Sequence, residues 1–91
     1  MSSLASLIMD LNSKGYMIKF EPDVTPGSTI ITLERKEYGM IHVQSYTVSA
    51  YTFEFYKESA ETLLCKIVTD MVDRLEKYID SLRRGLTDEL V

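Results

Sequence analysis

Two side chains in the 91-residue sequence could act as a nucleophile and its base, and each is the only one of its type: Cys65 and His42. Nucleophilic catalysis requires the pair to meet in space and a third group to orient the base. No flanking motif accompanies either residue. We therefore predict that His42 is a partly exposed sheet residue and that Cys65 is a half-buried structural thiol. The remaining enzymatic alternative is a small enzyme whose site forms at a dimer interface.

Metal and nucleotide sites lack the residues that they need. One histidine and one cysteine cannot supply four zinc ligands. A row of four acids follows the outer side of the predicted last helix: Asp70, Asp73, Glu76 and Asp80. Arg74 and Lys77 interrupt this row, which indicates a solvated, salt-bridged face. The four glycines are all explained by turns or helix ends, so no phosphate-binding loop remains. We expect no catalytic residue, no metal and no cofactor.

The composition limits the partners and the compartment. Ten Lys and Arg stand against fourteen Asp and Glu, a net charge of −4, and no basic stripe suited to nucleic acid is visible. No stretch of 18 uncharged apolar residues could cross a membrane, and the first residues lack the basic start of a signal peptide. A single cysteine excludes an internal disulfide. We expect a cytoplasmic protein that binds neither nucleic acid nor membrane.

The elements that would position these residues follow from the apolar spacing. Leucines and isoleucine recur with helical spacing over 4–11, with Ser2 or Ser3 as the cap and Gly15 just past the end. Period-two alternation then predicts strands over 16–21, 29–35 and 40–48. Lys36–Gly39 forms the hairpin connection, and two prolines mark 22–28 as a loop.

The alternation changes phase near Ser49 and Ala50, which indicates a turn or a bulge. We predict a turn followed by a fourth strand over Tyr51–Tyr56, and the alternative is one long bent strand. Five aromatic residues fall between 46 and 56. Tyrosines suit interfaces because one end is apolar and the other polar, so this segment is a candidate recognition strand. The alternative is that Phe53 and Phe55 fill the core.

The last helix, over 59–84, has the clearest pattern. Ser59 caps its start and Gly85 stops it. Its apolar residues cover about half of the helical wheel, and six of them follow heptad spacing: Leu64, Val68, Met71, Leu75, Tyr78 and Leu82. The helix is longer than the predicted strands. We infer that part of the stripe meets another chain, unless the sheet and the first helix cover it.

The predicted fold is α+β in the order α-β-β-β-β-α. It is an antiparallel meander of three or four strands with a short N-terminal and a long C-terminal helix on one face. Residues 1–85 form a single domain, and 86–91 form a flexible tail.

The segment from Leu7 to Phe20 is a helix that ends in Lys14-Gly15 and runs directly into Tyr-Met-Ile-Lys. This layout resembles the opening of small acidic phage-encoded anti-CRISPR proteins that inhibit Cas9, over about the first 45 residues. The resemblance implies a host-defence inhibitor acting in the host cytoplasm. The family's dense acid clusters are replaced here by Glu34 and Glu37 around Arg35 and Lys36, so no inhibitory residue is carried over.

The sequence thus favours a non-enzymatic module that binds another protein or itself, as a homodimer or as a subunit of a larger assembly. Its expected contact elements are the aromatic strand, any open sheet edge and uncovered apolar surface on the last helix. The candidate interaction residues are Tyr46, Tyr51, Tyr56, Met71, Leu75, Tyr78 and Leu82.

Overall fold

A computed structural model describes residues 3–56 and 59–90, with side chains described up to residue 85. Three helices and three strands follow one another as α1 Leu4–Ser13, β1 Tyr16–Pro22, β2 Thr29–Glu37, β3 Met40–Val48, α2 Ala50–Phe55 and α3 Ala60–Leu90. The predicted α+β class, the antiparallel meander and the two flanking helices are confirmed. The meander has three strands in the order β1-β2-β3.

The predicted fourth strand is wrong, and so is the long bent strand. Residues 50–55 form α2, whose N-cap is Ser49. The Ser49 hydroxyl accepts a hydrogen bond from the backbone N–H of Thr52 at 3.3 Å. A capped helix start satisfies free N–H groups that an isolated edge strand would leave exposed. The phase change in the sequence therefore marks a strand-to-helix transition.

The helices α1 and α3 cover one face of the sheet. α1 packs against β1 and α3, and α3 packs over β2 and β3. The backbone N–H of Leu4 at the start of α1 donates to Glu61 of α3 at 2.8 Å. An acid at a helix N-terminus suits the positive end of the helix dipole, so this contact ties the two helices together. Ser3 caps α1, as one of the two predicted serines, while Ser2 lies outside the described residues.

The core lies between α3 and the central strand. Ile31 and Leu33 of β2 are completely buried, and Val68, Met71 and Leu75 of α3 lie nearly as deep. The predicted heptad stripe is thus mostly core: the sheet covers its middle. Tyr78 remains more than half exposed, whereas Leu64 and Leu82 are partly buried.

The last helix does not stop at Gly85. α3 has 31 residues and runs unbroken from Ala60 to Leu90, and Ser59 caps its start as predicted. Its length of about 46 Å exceeds the roughly 30 Å of a nine-residue strand. The predicted tail therefore lies within the helix up to Leu90, and Val91 lies outside the described residues. Gly85 lies within this helix, and a Cβ atom at its position would meet no other atom within 4 Å. A glycine inside a helix has a modest cost in backbone entropy.

Candidate functional site

The structure separates the seven candidate interaction residues into surface and core. Tyr46, Tyr51, Tyr56 and Tyr78 are exposed, and Leu82 is partly buried. Met71 and Leu75 are 4% and 3% exposed, so they are not available to a partner. Met71 and Leu75 are buried because the middle of α3 lies over the sheet, where the heptad positions face β2 and β3.

The aromatic residues at 51, 53 and 55 lie on the helix α2 and not on a strand, whereas Tyr46 lies on β3. Tyr51 and Phe55 of α2 are each 79% exposed, and the Phe55 ring meets Tyr56 edge to face with centroids 5.2 Å apart. Phe53 packs against the core. The expectation that Phe53 and Phe55 together fill the core is therefore right for Phe53 only. Helical spacing turns one aromatic inward and leaves the others on the surface.

The outer edge of β3 is one of the two open edges of the sheet. This strand pairs with β2 alone, and its nine residues include no Asp, Glu, Lys, Arg, Pro or Gly. The other edge strand, β1, carries Lys19, Glu21 and Pro22. Charges and proline protect edge strands from pairing with other chains. β3 lacks both of these devices.

The hairpin register defines which backbone groups reach that edge. Glu37 and Met40 flank a two-residue turn, in which Tyr38 and Gly39 have φ of 55° and 73°. Positive φ at both positions is typical of a type I′ turn, whose flanking residues form a hydrogen-bonded pair. Even-numbered residues of β3 then bond to β2. The odd-numbered residues direct their N–H and C=O groups outward: Ile41, Val43, Ser45 and Thr47.

Pro22 provides a check on this register. The same alternation carried across β2 directs the backbone nitrogens of 16, 18, 20 and 22 away from the sheet at the β1 edge. Pro22 has no N–H to donate, and it occupies a position at which none is required.

Two grooves accompany the open edge, between β3 and α3. One, of about 470 Å³, is lined by Ile41, His42, Val43, Gln44, Arg74, Leu75 and Tyr78. The second, of about 270 Å³, continues along the strand past Gln44, Ser45 and Tyr46. From α3 the grooves are bordered by a row of residues four apart: Lys66, Asp70, Arg74 and Tyr78. Arg74 Nε lies 3.0 Å from Asp70 Oδ2 within this row.

Two residues that line these grooves each have a buried polar atom without a hydrogen-bond partner among the described residues. These atoms are Nε2 of His42 and Oε1 of Gln44. His42 is 8% exposed, so the predicted partly exposed histidine is in fact buried. Its ring stands edge-on to Tyr78 with centroids 6.0 Å apart. A buried polar atom without a partner costs about 1–3 kcal/mol, so each side chain would gain from a rotation that brings its atom to a hydrogen-bond partner.

A charged cluster on the other side of α3 has a structural explanation. Tyr16 is 1% exposed, and its hydroxyl donates to Glu76 Oε1 at 3.0 Å and accepts from Arg35 Nη1 at 2.8 Å. Arg35 also pairs with Glu37 at 3.1 Å. Burial, opposed by the hydrogen bond from Arg35 and reinforced by Glu76, raises the pKa of Tyr16 from its ordinary value. The cluster joins β1, β2 and α3 with its polar groups satisfied.

Cys65 lies apart from His42 in the described structure. The thiol borders a groove with Lys66, Thr69 and Asp70, whereas His42 faces Tyr78. Burial, with a smaller effect from Glu61, raises the pKa of the Cys65 thiol from its ordinary value. A raised pKa keeps the thiol protonated, which is the opposite of what an activated nucleophile needs.

Within residues 3–56 and 59–90, no group of three or more His, Cys, Asp and Glu side chains is placed to hold a metal ion. No helix in that part of the chain is both long enough and apolar enough to cross a bilayer.

Sequence reasoning anticipated an open sheet edge but did not identify β3 as that edge. The available signal was the nine-residue run 40–48 without charge, proline or glycine. Comparison with known proteins finds no matching protein family, no matching curated protein and no matching solved structure.

Proposed function

We propose that this protein is a non-enzymatic protein-binding module that takes up a strand of its partner along the outer edge of β3. The observation that carries the proposal is the unprotected edge itself. The backbone N–H and C=O groups of four alternate residues point outward there: Ile41, Val43, Ser45 and Thr47. An added strand forms main-chain hydrogen bonds with such an edge, and neighbouring side chains provide the specificity.

Side chains on both faces of β3 support this mode of binding. Ile41 and Val43 are 64% and 57% exposed on the face opposite the helices. On the helix side, the groove beside His42 and Gln44 offers space for side chains of a partner. A bound strand would bury the apolar side chains and hydrogen-bond to the open backbone groups of β3. The exposed aromatics Tyr51 and Phe55 of α2, which follows β3 directly in the chain, are further apolar surface.

The absence of an assembled nucleophile and base among the described residues supports a binding role over the enzymatic alternative. The anti-CRISPR resemblance stays a prediction. Adding the purified protein to a Cas9 cleavage assay tests it, and undiminished cutting at excess protein would contradict it.

The proposed binding mode can be tested with a photo-crosslinking amino acid at position 43, expressed in the source cells. The matched control carries the same group at position 17. Met17 and Val43 lie at opposite edges of the same sheet face, both aligned with Glu34, and both are more than half exposed. We expect protein crosslinks from position 43 and few from position 17. Equal yields from both positions would contradict the proposal.

A pair of substitutions at Ser45 adds a chemical criterion. Ser45→Pro removes an outward N–H, while Ser45→Ala keeps it, and both remove the hydroxyl that lies 3.5 Å from Thr32 Oγ1. We expect Ser45→Pro to abolish the position-43 crosslinks and Ser45→Ala to retain them. Loss in both variants, or retention in both, would show that strand addition at this edge is not the mode of binding.

A further inference from the structure

The proposed function leaves the identity of the partner open, and the geometry of β3 points to one. We propose that the partner is a second copy of this chain, bound about a twofold axis that passes beside Gln44. The two β3 strands then pair antiparallel and join two three-stranded sheets into one of six strands. This inference rests on the proposed function, because it places an occupant on the same edge.

The backbone pattern of β3 is self-complementary about Gln44. A twofold axis there sets Ile41 opposite Thr47 of the partner subunit and Val43 opposite Ser45 of the partner subunit. All four outward-facing positions of each strand are then used, and all nine residues of β3 overlap. Because the strand carries no Asp, Glu, Lys or Arg, no like charges face each other across the axis.

The same register brings polar side chains of the partner subunit beside the two residues whose buried atoms lack partners, and a rotation of either side chain would bring its atom to them. Gln44 lies opposite Gln44 of the partner subunit, so each side-chain carbonyl can accept from the other side chain's amide. His42 lies opposite Tyr46 of the partner subunit, whose hydroxyl suits the free His42 Nε2. Tyr46 is 48% exposed in the single chain and available for this contact. The full-overlap register thus places a polar side chain of the partner subunit opposite each of these two residues.

The helices are compatible with this arrangement. α3 packs over both β2 and β3, the two strands nearest to the twofold axis. Because this axis is perpendicular to the sheet, the two copies of α3 would lie side by side on the same face of the joined sheet. Their facing rows bring Asp70 of one chain near Arg74 of the partner subunit, which is a complementary pairing of charges.

Sedimentation equilibrium of the purified chain from about 1 to 200 μM tests the assembly. We expect a reversible dimer that Ser45→Ala preserves. Ser45→Pro should weaken it about 30-fold, since the twofold axis doubles each lost hydrogen bond. Circular dichroism verifies that both variants keep the fold. A monomer throughout the range, or a dimer that responds equally to both variants, would overturn the inference.

Cysteine crosslinking tests the register without relying on proline. In a Cys65→Ser background, Gln44→Cys places two thiols across the axis at a non-hydrogen-bonded pair, where Cα atoms lie about 4.5 Å apart and a disulfide can form. Tyr46→Cys is the matched control on the same strand face, with its Cα atoms about 14 Å apart in this register. We expect rapid oxidative dimerisation of Gln44→Cys alone. Equal rates for the two variants would exclude the register.

The two proposals fail separately. A monomeric purified chain that still crosslinks to a different protein from position 43 would overturn the second copy and leave the strand-binding edge in place. A dimer that forms normally while Ser45→Pro has no effect and position 43 gives no crosslink would overturn both.

Discussion

At the scale of single residues, the molecule treats its buried polar groups in two ways. Tyr16 is buried and fully engaged, between Arg35 and Glu76. His42 and Gln44 each have a buried side-chain atom without a hydrogen-bond partner among the described residues. A satisfied buried group contributes to the stability of the fold, whereas an unsatisfied one reduces it and gains when a ligand or partner arrives. The contrast indicates a structural role for the cluster around Tyr16 and is consistent with the binding that we propose beside His42 and Gln44.

Tyr16→Phe tests the structural role. We expect it to lower the free energy of unfolding by about 1–2 kcal/mol at pH 7, because both hydroxyl hydrogen bonds are lost. The matched control is Tyr51→Phe, at a 79% exposed position, which should change stability by less than about 0.5 kcal/mol. Urea denaturation measures both values.

The pH dependence of the same pair of proteins follows from the raised pKa of Tyr16. Its stabilisation is fully present below the unfolded value of about 10 and is lost as pH rises through the higher folded value. The stability difference between wild type and Tyr16→Phe should therefore stay constant from pH 7 to 9 and shrink above pH 10. A difference that grows at alkaline pH would contradict the assignment.

At the scale of elements, the boundaries depend on which local signal prevails. Serines at positions 3, 49 and 59 each cap a helix. The glycines behave differently from one another: Gly39 takes the positive φ that its turn requires, while Gly85 continues a helix. A glycine permits a helix to end but does not force it to, because glycine adopts helical φ as well as the positive φ of a helix end.

Gly85→Ala distinguishes these two roles. If α3 continues through residue 85, alanine should raise helicity at 222 nm and stabilise the helix by no more than about 1 kcal/mol. If the helix ended there in a left-handed conformation, alanine would destabilise it instead. Circular dichroism and thermal unfolding at matched concentration measure the sign, and Gly39→Ala, at φ of 73°, is the destabilising control.

At the scale of the whole molecule, one sheet face is closed and the other is open. The chain extends over 51 × 29 × 19 Å, with α1 and α3 on the same side of three strands. Stability therefore depends on a single core layer centred on β2, and the uncovered face and the β3 edge remain for binding. Apolar residues grouped on an exposed surface mark interaction sites, so the uncovered face and the β3 edge are the most informative surfaces of this molecule.

Leu33→Ala tests the single-layer core. Leu33 is completely buried beneath the helices, and we expect its truncation to cost about 2–5 kcal/mol in the free energy of unfolding. Met17→Ala, at a 67% exposed position on the open face, should cost less than about 0.5 kcal/mol. Both are measured by denaturant unfolding at one protein concentration. Similar losses in the two variants would contradict a core confined to the helix side.

Much of this protein is dictated by the sequence alone. The period of the apolar residues determines the N-terminal helix, the three strands and the long C-terminal helix, because burying one face of each element imposes that period. Short connections between consecutive strands then determine the antiparallel meander. The lack of charge between 40 and 48 is equally visible in the sequence, although it acquires meaning only once β3 is known to be an edge.

Only the tertiary structure decided which side of each element is covered. Alternating aromatics at 51, 53 and 55 are compatible with a strand, but no neighbouring strand is present beyond β3 in the described chain, and the cap at Ser49 favours a helix. The heptad stripe of α3 could equally face another helix or its own sheet. Packing over β2 and β3 resolved that ambiguity, because burial depends on what lies opposite a residue and not on its spacing along the chain.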